Sequence, residues 1–489
     1  MRRHRYIACD LGAESGRVML GTLDGDKLTV EEIHRFTNGG ILVGGSLRWD
    51  VLRLFDELKT GLAKVAARGL SVESVSCDSW GVDYVLLQGD EPFLAAPYHY
   101  RDKRTQGALQ RAFAVVPAER IFEETGIQFM AINTLYQLIE DLKGRPSILS
   151  SAERFLNIGD YFNYLFCGVA KAEESLASTT QLFNPRRRTW SDFLIRNFGL
   201  PSGIFPEIVP SGTILGEMRP GVCHETGLQR CRVVAGCSHD TAAAVAAVPR
   251  EDEQWAYLSS GTWSLLGIET SEPVINAKSL EYEFTNEMGF GGTIRLLKNI
   301  YGLWIVQECR RSWAKKGEEY SYTQLTQMAE AATSPGVFLD LNDPLFLNPD
   351  DMLTAIAQHC RALKKNNPGT PGEVIRCVLE SLAVFYRTKL EQLEEIAGRK
   401  LTAIHIVGGG SKNNLLNQLT CSAIGRPVLA GPVECAAIGN ILIQAVALGH
   451  VSSIKEVRSI VRRSFPVVRY EPFHEFAYLQ TSSLHTSLS

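Results

Sequence analysis

RVVAGCSHDTAAAVAAV, Arg232–Val248, reads as an apolar strand, a small-residue turn and an alanine-rich helix ended by Pro249. Asp240 falls where the turn becomes the helix, so a rigid element holds its carboxylate beside the partial positive charge of a helix N-terminus. An Asp at such a place is most often a cap that accepts backbone N–H groups. The surrounding chain decides whether it does more.

With 489 residues, 45% hydrophobic and 21% charged, the chain has globular composition and is too long for one hydrophobic core, so two large domains are expected. A net charge of −4 and an isoelectric point near 6.2 argue against a nucleic-acid surface. The triplet Arg186–Arg188 reads as a solvated turn. The opening MRRHRYIACD reaches Asp10 too soon for a signal-peptide core, and no later run has the eighteen apolar residues of a membrane span. The eleven scattered cysteines include no CxxC pair, which fits reduced thiols in a cytoplasm better than disulfides or zinc. There is no Gly-Lys dipeptide for a Walker A loop, no complete Rossmann fingerprint after Gly408–Gly410, and no HExxH or GxSxG. If the chain handles phosphates, it uses another device.

Near the start, Tyr6–Ala8 and Val18–Leu23 read as strands joined by the turn CDLGAESGR, with a further strand at Lys27–His34. This turn carries the residues of a phosphate clamp: Gly12 and Gly16 for close backbone approach, Ala13 and Glu14 for main-chain N–H groups, Ser15 as donor, Arg17 as cation and Asp10 to hold Mg²⁺ through water. The competing reading is a polar β-turn with a surface arginine. A second strand–turn–strand, QWAYLSSGTWSLLGI at Gln254–Ile268, places Ser259, Ser260, Gly261 and Thr262 in its turn. Two such hairpins half a chain apart suggest a weak internal duplication, one copy per domain. In LTAIHIVGGGSKNNLLNQLTCSAIGRPV, Leu401–Val428, a strand ends at Val407, Gly408–Gly410 expose bare backbone for a base or an α-phosphate, and Ser411 caps a helix over Lys412–Ile424.

Together these segments resemble the FGGY family of carbohydrate kinases, within the actin and sugar-kinase superfamily. The resemblance rests on DLGAESGR at Asp10–Arg17, DSWGVDYVLL at Asp78–Leu87, YRDKRT at Tyr100–Thr105, GIQFMAINTLYQL at Gly126–Leu138, STTQLFN at Ser178–Asn184, SHDTA at Ser238–Ala242, SSGTWSL at Ser259–Leu265, LLKNIYGLW at Leu296–Trp304 and HIVGGGSKNNLLNQL at His405–Leu419. It implies an α/β fold of two RNase H-like (actin-like ATPase) domains, each a five-stranded mixed sheet with helices on both faces, with the active site in an interdomain cleft that closes by a hinge. The expected division is 1–247 for sugar and phosphate and 248–489 for nucleotide, with PREDEQ at Pro249–Gln254 as the polar linker.

The same resemblance implies ATP and Mg²⁺ as cofactors, with no nucleic acid, membrane or obligatory protein partner. The acceptor it implies is the 1-hydroxyl of L-rhamnulose, with L-fuculose, D-xylulose or a related sugar as alternatives. Asp240 becomes the general base, with His239, Thr241 and Gly81 against the sugar. Leu296–Trp313 reads as one helix, with Asn299 at the sugar end and Gln307 eight positions on, about 12 Å along the axis, at the nucleotide end. Thr262 and Gly409 complete the nucleotide set. A non-catalytic nucleotide-dependent sugar sensor on the same architecture would keep the ATP loops without a sugar-side base, and Asp240 speaks against it.

Two residues depart from the family pattern. Glu14 lies in the first phosphate loop, where a carboxylate aimed at phosphate would repel it, so it is expected to face outward. Cys435 in GPVECAAIGN stands where such kinases more often have a small or hydroxyl residue. The segment Tyr470–Ser489 reads as a loosely held tail.

Overall fold

A computed structural model of the chain describes residues 3–89, 91–250, 254–341, 343–347 and 349–484, so Glu251–Glu253 of the expected linker lie outside the described residues. The chain divides into two compact units. The first comprises Met1–Pro249, Glu269–Leu296 and Cys435–Ser464, and the second Arg250–Ile268, Leu297–Glu434 and Phe465–Ser489.

The first unit is organised on the strand Arg3–Leu11, which is buried on both faces from Tyr6 to Leu11, as a central strand must be. It pairs antiparallel with Ser15–Asp24 and parallel with Ser74–Ser79. Beyond these lie Arg232–Ala235, parallel to Ser74–Ser79, then Thr213–Glu217, antiparallel, while Lys27–Thr37 forms the other edge. This sheet therefore has six strands, one more than expected. Its first hairpin is also tighter than the polar run suggests. Strand pairing continues through Leu11↔Gly16, so only Gly12–Glu14 remain as the turn.

In the second unit, Trp255–Ser260 pairs antiparallel with Ser264–Thr270 and parallel with Ala403–Val407. Ala403–Val407 continues parallel to Val428–Ala430, which pairs antiparallel with Val468–Tyr470. Hairpin, parallel neighbour, second parallel neighbour and antiparallel edge thus recur in one order in both units, which is the internal duplication the hairpins suggested.

The helix Asp240–Ala246 packs backbone to backbone on the helix Cys435–Ala447 within the first unit. A Cβ at Gly439 would lie 1.8 Å from the Ala243 carbonyl oxygen, so only glycine allows this approach. The Cys435 thiol donates to the Ala244 carbonyl at 3.1 Å, doing there what a serine hydroxyl would do. The same helix is tied to the sheet, because Gln444 donates to the Ile7 carbonyl at 3.0 Å and accepts from the Ser74 hydroxyl at 2.6 Å. Sheet, helix and Asp240 helix therefore form one rigid stack.

Three local expectations are corrected. Leu296–Trp313 is not one helix but the strand Ile294–Ile300 followed by the helix Trp304–Ala314. Gly302 sits at the break with Ser264 so close that a Cβ would fall 2.4 Å from its hydroxyl, and the apolar run before it satisfies a buried strand as well as a helix face. The helix after the glycine run is Asn414–Ile424, capped by Asn413, whose side chain accepts from the Leu416 N–H. Ser411 instead donates its hydroxyl to the Gly408 carbonyl at 2.7 Å. The chain after Tyr470 is held rather than loose through its described part. Leu479 is buried, Tyr478 donates to Glu380 at 2.5 Å, and Gln480 donates to the Ser422 carbonyl at 3.0 Å. Residues 485–489 lie outside the described residues. Among the described residues, no helix is long and apolar enough to cross a membrane.

The close helix pair gives a direct test. Gly439→Val is expected to lower the melting temperature, by the equivalent of about 1–3 kcal/mol or more, because backbone cannot yield as a side chain can. Gly221→Ala, in the helix Pro220–Thr226 with open space beside it, is the control and is expected to leave thermal stability unchanged or slightly raised. Equal melting of Gly439→Val and wild type would show that the helices are not in backbone contact.

Candidate active site

Register across the first sheet creates the site. Asp10 pairs with Arg17 on the antiparallel neighbour and with Asp78 on the parallel neighbour. Residues in register on adjacent strands share a face, so the three side chains form a row. Arg17 donates to Asp10 in an ion pair largely withdrawn from solvent. Asn440, from the helix Cys435–Ala447, donates to Asp78 Oδ2 at 2.5 Å. One position on, Ser79 bridges to His239, its N–H meeting the Ser238 carbonyl at 2.8 Å, which brings the SHDT turn to the end of the row.

Asp240 is the first residue of its helix, and the cap position belongs to His239. Asp240 Oδ1 accepts the Thr241 N–H at 2.5 Å and the Thr241 hydroxyl at 3.1 Å, while 30% of its side chain stays exposed. Burial raises its pKa, His239 and the Thr241 donors pull it down, and Asp10 adds to the rise. Asp78 is pushed well above the usual carboxylate range by complete burial and then by Asp10, with Asp240 adding to the rise. Its Oδ1 is a buried oxygen without a hydrogen-bond partner. Three carboxylates thus converge where Arg17 and the Asn440 amide only partly offset their charge.

His239 is clamped from its other side. Its Nδ1 lies 3.3 Å from Glu287 and 3.1 Å from Arg295 Nη2, and its Nε2 lies 3.5 Å from Asp240 Oδ1. Arg295 also donates to Glu287 at 2.9 Å. Burial opposes the Glu287 charge, but Arg295 and His239 outweigh it and hold Glu287 below its usual pKa. Gly81 lies against Thr179, whose hydroxyl accepts the Val82 N–H at 3.2 Å. Next to it, Asp83 accepts from the indoles of Trp49 at 2.6 Å and Trp80 at 3.0 Å, and burial lifts it to about 6 despite these bonds.

In the Gly12–Glu14 turn, Asn38 donates from its side chain to the Gly12 carbonyl and from its backbone to the Glu14 carbonyl, both at 2.8 Å. Ala13, Glu14 and Ser15 are half-buried. At Gly16 a Cβ would meet the Phe36 ring at 2.2 Å.

In the second unit, the turn after Ser260 meets the helix Trp304–Ala314. Gln307 donates to the Thr262 hydroxyl at 3.3 Å, and the Trp304 N–H donates to the Thr262 carbonyl at 3.0 Å. Ser259 and Ser260 belong to the strand rather than the turn. Ser260 abuts the glycine run, where a Cβ at Gly410 would lie 2.0 Å from its hydroxyl, whereas one at Gly409 would meet nothing within 4 Å. Thr262, Gln307 and the open backbone of Gly409 therefore gather around one hairpin. Asn299 lies near the end of the strand Ile294–Ile300, so the spacing along a helix axis does not apply to it.

Asp78, Asn440, Glu287 and Arg295 were not singled out by sequence. The first Asp of DSWGVD carried a signal in its strand-end position, but the other three are joined to the site only by tertiary packing.

The mixed α/β fold with two sheet-bearing units is that of the actin-like ATPases. Residues 5–247 match the N-terminal domain and residues 256–448 the C-terminal domain of the FGGY family of carbohydrate kinases, and the chain belongs to this family of sugar kinases. It is 41% identical over 474 residues to the rhamnulokinase of Enterococcus faecalis, covering 96% of this chain and 95% of that one. It is 42% identical to the rhamnulokinase of Bacteroides thetaiotaomicron over 470 residues, 96% of each. Among solved structures, ligand-bound xylulose kinase from Lactobacillus acidophilus superposes with a TM-score of 0.78 at 16% identity, covering 98% of this chain and 96% of that one. Glycerol kinase from Plasmodium falciparum with ADP gives 0.77 at 14% identity and the same coverage.

The carboxylate row has a consequence for stability. A carboxyl whose pKa is raised in the folded state binds its proton more tightly there than in the unfolded chain, so its contribution falls as pH rises above about 4. Asp78→Asn keeps an acceptor for Asn440 and removes the charge. In magnesium-free buffer it is expected to melt above wild type at pH 7, with the difference shrinking toward pH 4. A lower melting temperature across that range would contradict the charge account.

Proposed function

We propose that the chain transfers the γ-phosphoryl group of ATP to the 1-hydroxyl of L-rhamnulose, giving L-rhamnulose 1-phosphate and ADP. The substrate reading is supported by relatives of that name that match nearly the whole chain, and the chemistry by one observation, a partly exposed Asp240 with a raised pKa beside Asp10 and Asp78. Asp240 accepts the proton of the attacking hydroxyl. Its raised pKa makes it a better base than a surface aspartate, and the loose transition state of phosphoryl transfer allows the proton to move late. Glu287 and Arg295 fix the His239 ring toward the sugar, with Thr241, Gly81 and Asn299 as further sugar contacts.

Positions 13–17 and Thr262, Gln307 and Gly409 receive the nucleotide in this reading. A region of sugar and phosphate binding at 1–247 and one of nucleotide binding at 248–489 must then act on one ATP. The converging carboxylates and the unpartnered Asp78 oxygen suit Mg²⁺, with Asp10 holding it through water. When bound, that ion offsets phosphate charge. A reducing, cytoplasmic setting is supported by the eleven free cysteines.

Two measurements test this. Across a panel of ketoses and polyols, L-rhamnulose is expected to give the highest kcat/KM, and a clear preference for L-fuculose or D-xylulose would overturn the substrate. Asp240→Asn is expected to lower kcat by about 10²–10⁴-fold with ATP affinity retained. Near-normal turnover by this variant would remove Asp240 from the chemistry.

A further inference from the structure

At the end of the first sheet away from Asp10, three side chains meet that the kinase chemistry does not use. His4 comes from the start of the strand Arg3–Leu11, Glu73 from just before Ser74–Ser79, and His450 from just beyond the helix Cys435–Ala447. We propose that His4, Glu73 and His450 form a binding site for a transition-metal dication of the zinc class.

The geometry carries this. One ligand atom from each residue lies within 4.8 Å of the others, and all three residues are partly buried. His4 Nδ1 and Glu73 Oε1 are 3.0 Å apart. Two ligands each about 2.0–2.1 Å from one zinc ion stand roughly 3.0–3.4 Å apart, so this pair already has the spacing of an edge of a coordination shell. The two imidazoles stack with centroids 3.7 Å apart. His450 is oriented by the Tyr6 hydroxyl, 2.7 Å from its Nδ1, as outer-shell partners orient metal-binding histidines.

The chemistry separates this site from the magnesium reading. Two imidazoles and one carboxylate favour zinc, nickel, cobalt or copper, whereas magnesium prefers oxygen ligands. His4 and Asp10 are six residues apart on one strand, about 20 Å at 3.3 Å per residue, so the two sites do not share an ion. Occupancy would fasten the first strand to the end of the helix that carries Asn440 and thereby favour the folded state.

The test uses the full chain without a polyhistidine tag, stripped with chelator and kept in millimolar Mg²⁺. Titration with ZnCl₂ followed by calorimetry is expected to show one site per chain that excess Mg²⁺ does not displace, and zinc is expected to raise the melting temperature. His4→Ala and His450→Ala should each abolish the site and Glu73→Gln should weaken it at least tenfold, while kinase activity without zinc stays as in wild type. Should an alanine variant fold poorly, the Co²⁺ complex of wild type decides. Visible d–d bands without a thiolate charge-transfer band support the site. A thiolate band, no zinc binding, or zinc binding unchanged in the His4→Ala/His450→Ala variant overturns it.

Discussion

Strand register governs this molecule. Because Arg3–Leu11 pairs with one neighbour in each direction, Asp10 is fixed opposite Arg17 on one side and Asp78 on the other, and no loop motion can separate them. A one-residue slip would send Asp10 to the other face of the sheet and dissolve the row. The register is secured in turn by the helix Cys435–Ala447, whose Gln444 bonds to Ile7 and Ser74 and whose Asn440 bonds to Asp78. That helix holds the Asp240 helix through the glycine contact at Gly439. Sheet, helix and carboxylates therefore form one mechanical unit, and crowding three acids within it costs stability.

The repeated strand order carries different groups in its two copies. In each unit a hairpin of the first two strands stands beside a parallel strand, and in each the turn or strand end carries the polar groups. The first copy holds acids and the second holds Thr262 beside Gln307 and the open backbone of Gly409. In the proposed reaction the first copy handles the hydroxyl and its proton, and the second receives the nucleotide.

Much of this was legible in the sequence because strand–turn–strand and strand–glycine–helix patterns are local. The hairpins, the Asp240 helix and the glycine run stand where hydrophobic periodicity placed them. What failed were boundaries and one element type. RLLKNI has an apolar pattern that suits a buried strand or a helix, and Gly302, which breaks it, owes its place to Ser264 far along the chain. Gly16 carries a constraint that sequence does not show, since a Cβ there would meet the Phe36 ring at 2.2 Å. Asn440, Glu287 and Arg295 were invisible because their meaning lies in contacts with residues distant in sequence.

The most direct test is a structure determined with a non-hydrolysable ATP analogue, Mg²⁺ and L-rhamnulose bound together. Asp240 is expected within hydrogen-bond reach, about 2.6–3.2 Å, of the sugar 1-hydroxyl, with that oxygen facing the γ-phosphorus. A sugar hydroxyl held by a different acid, with Asp240 turned away from both ligands, would contradict the account.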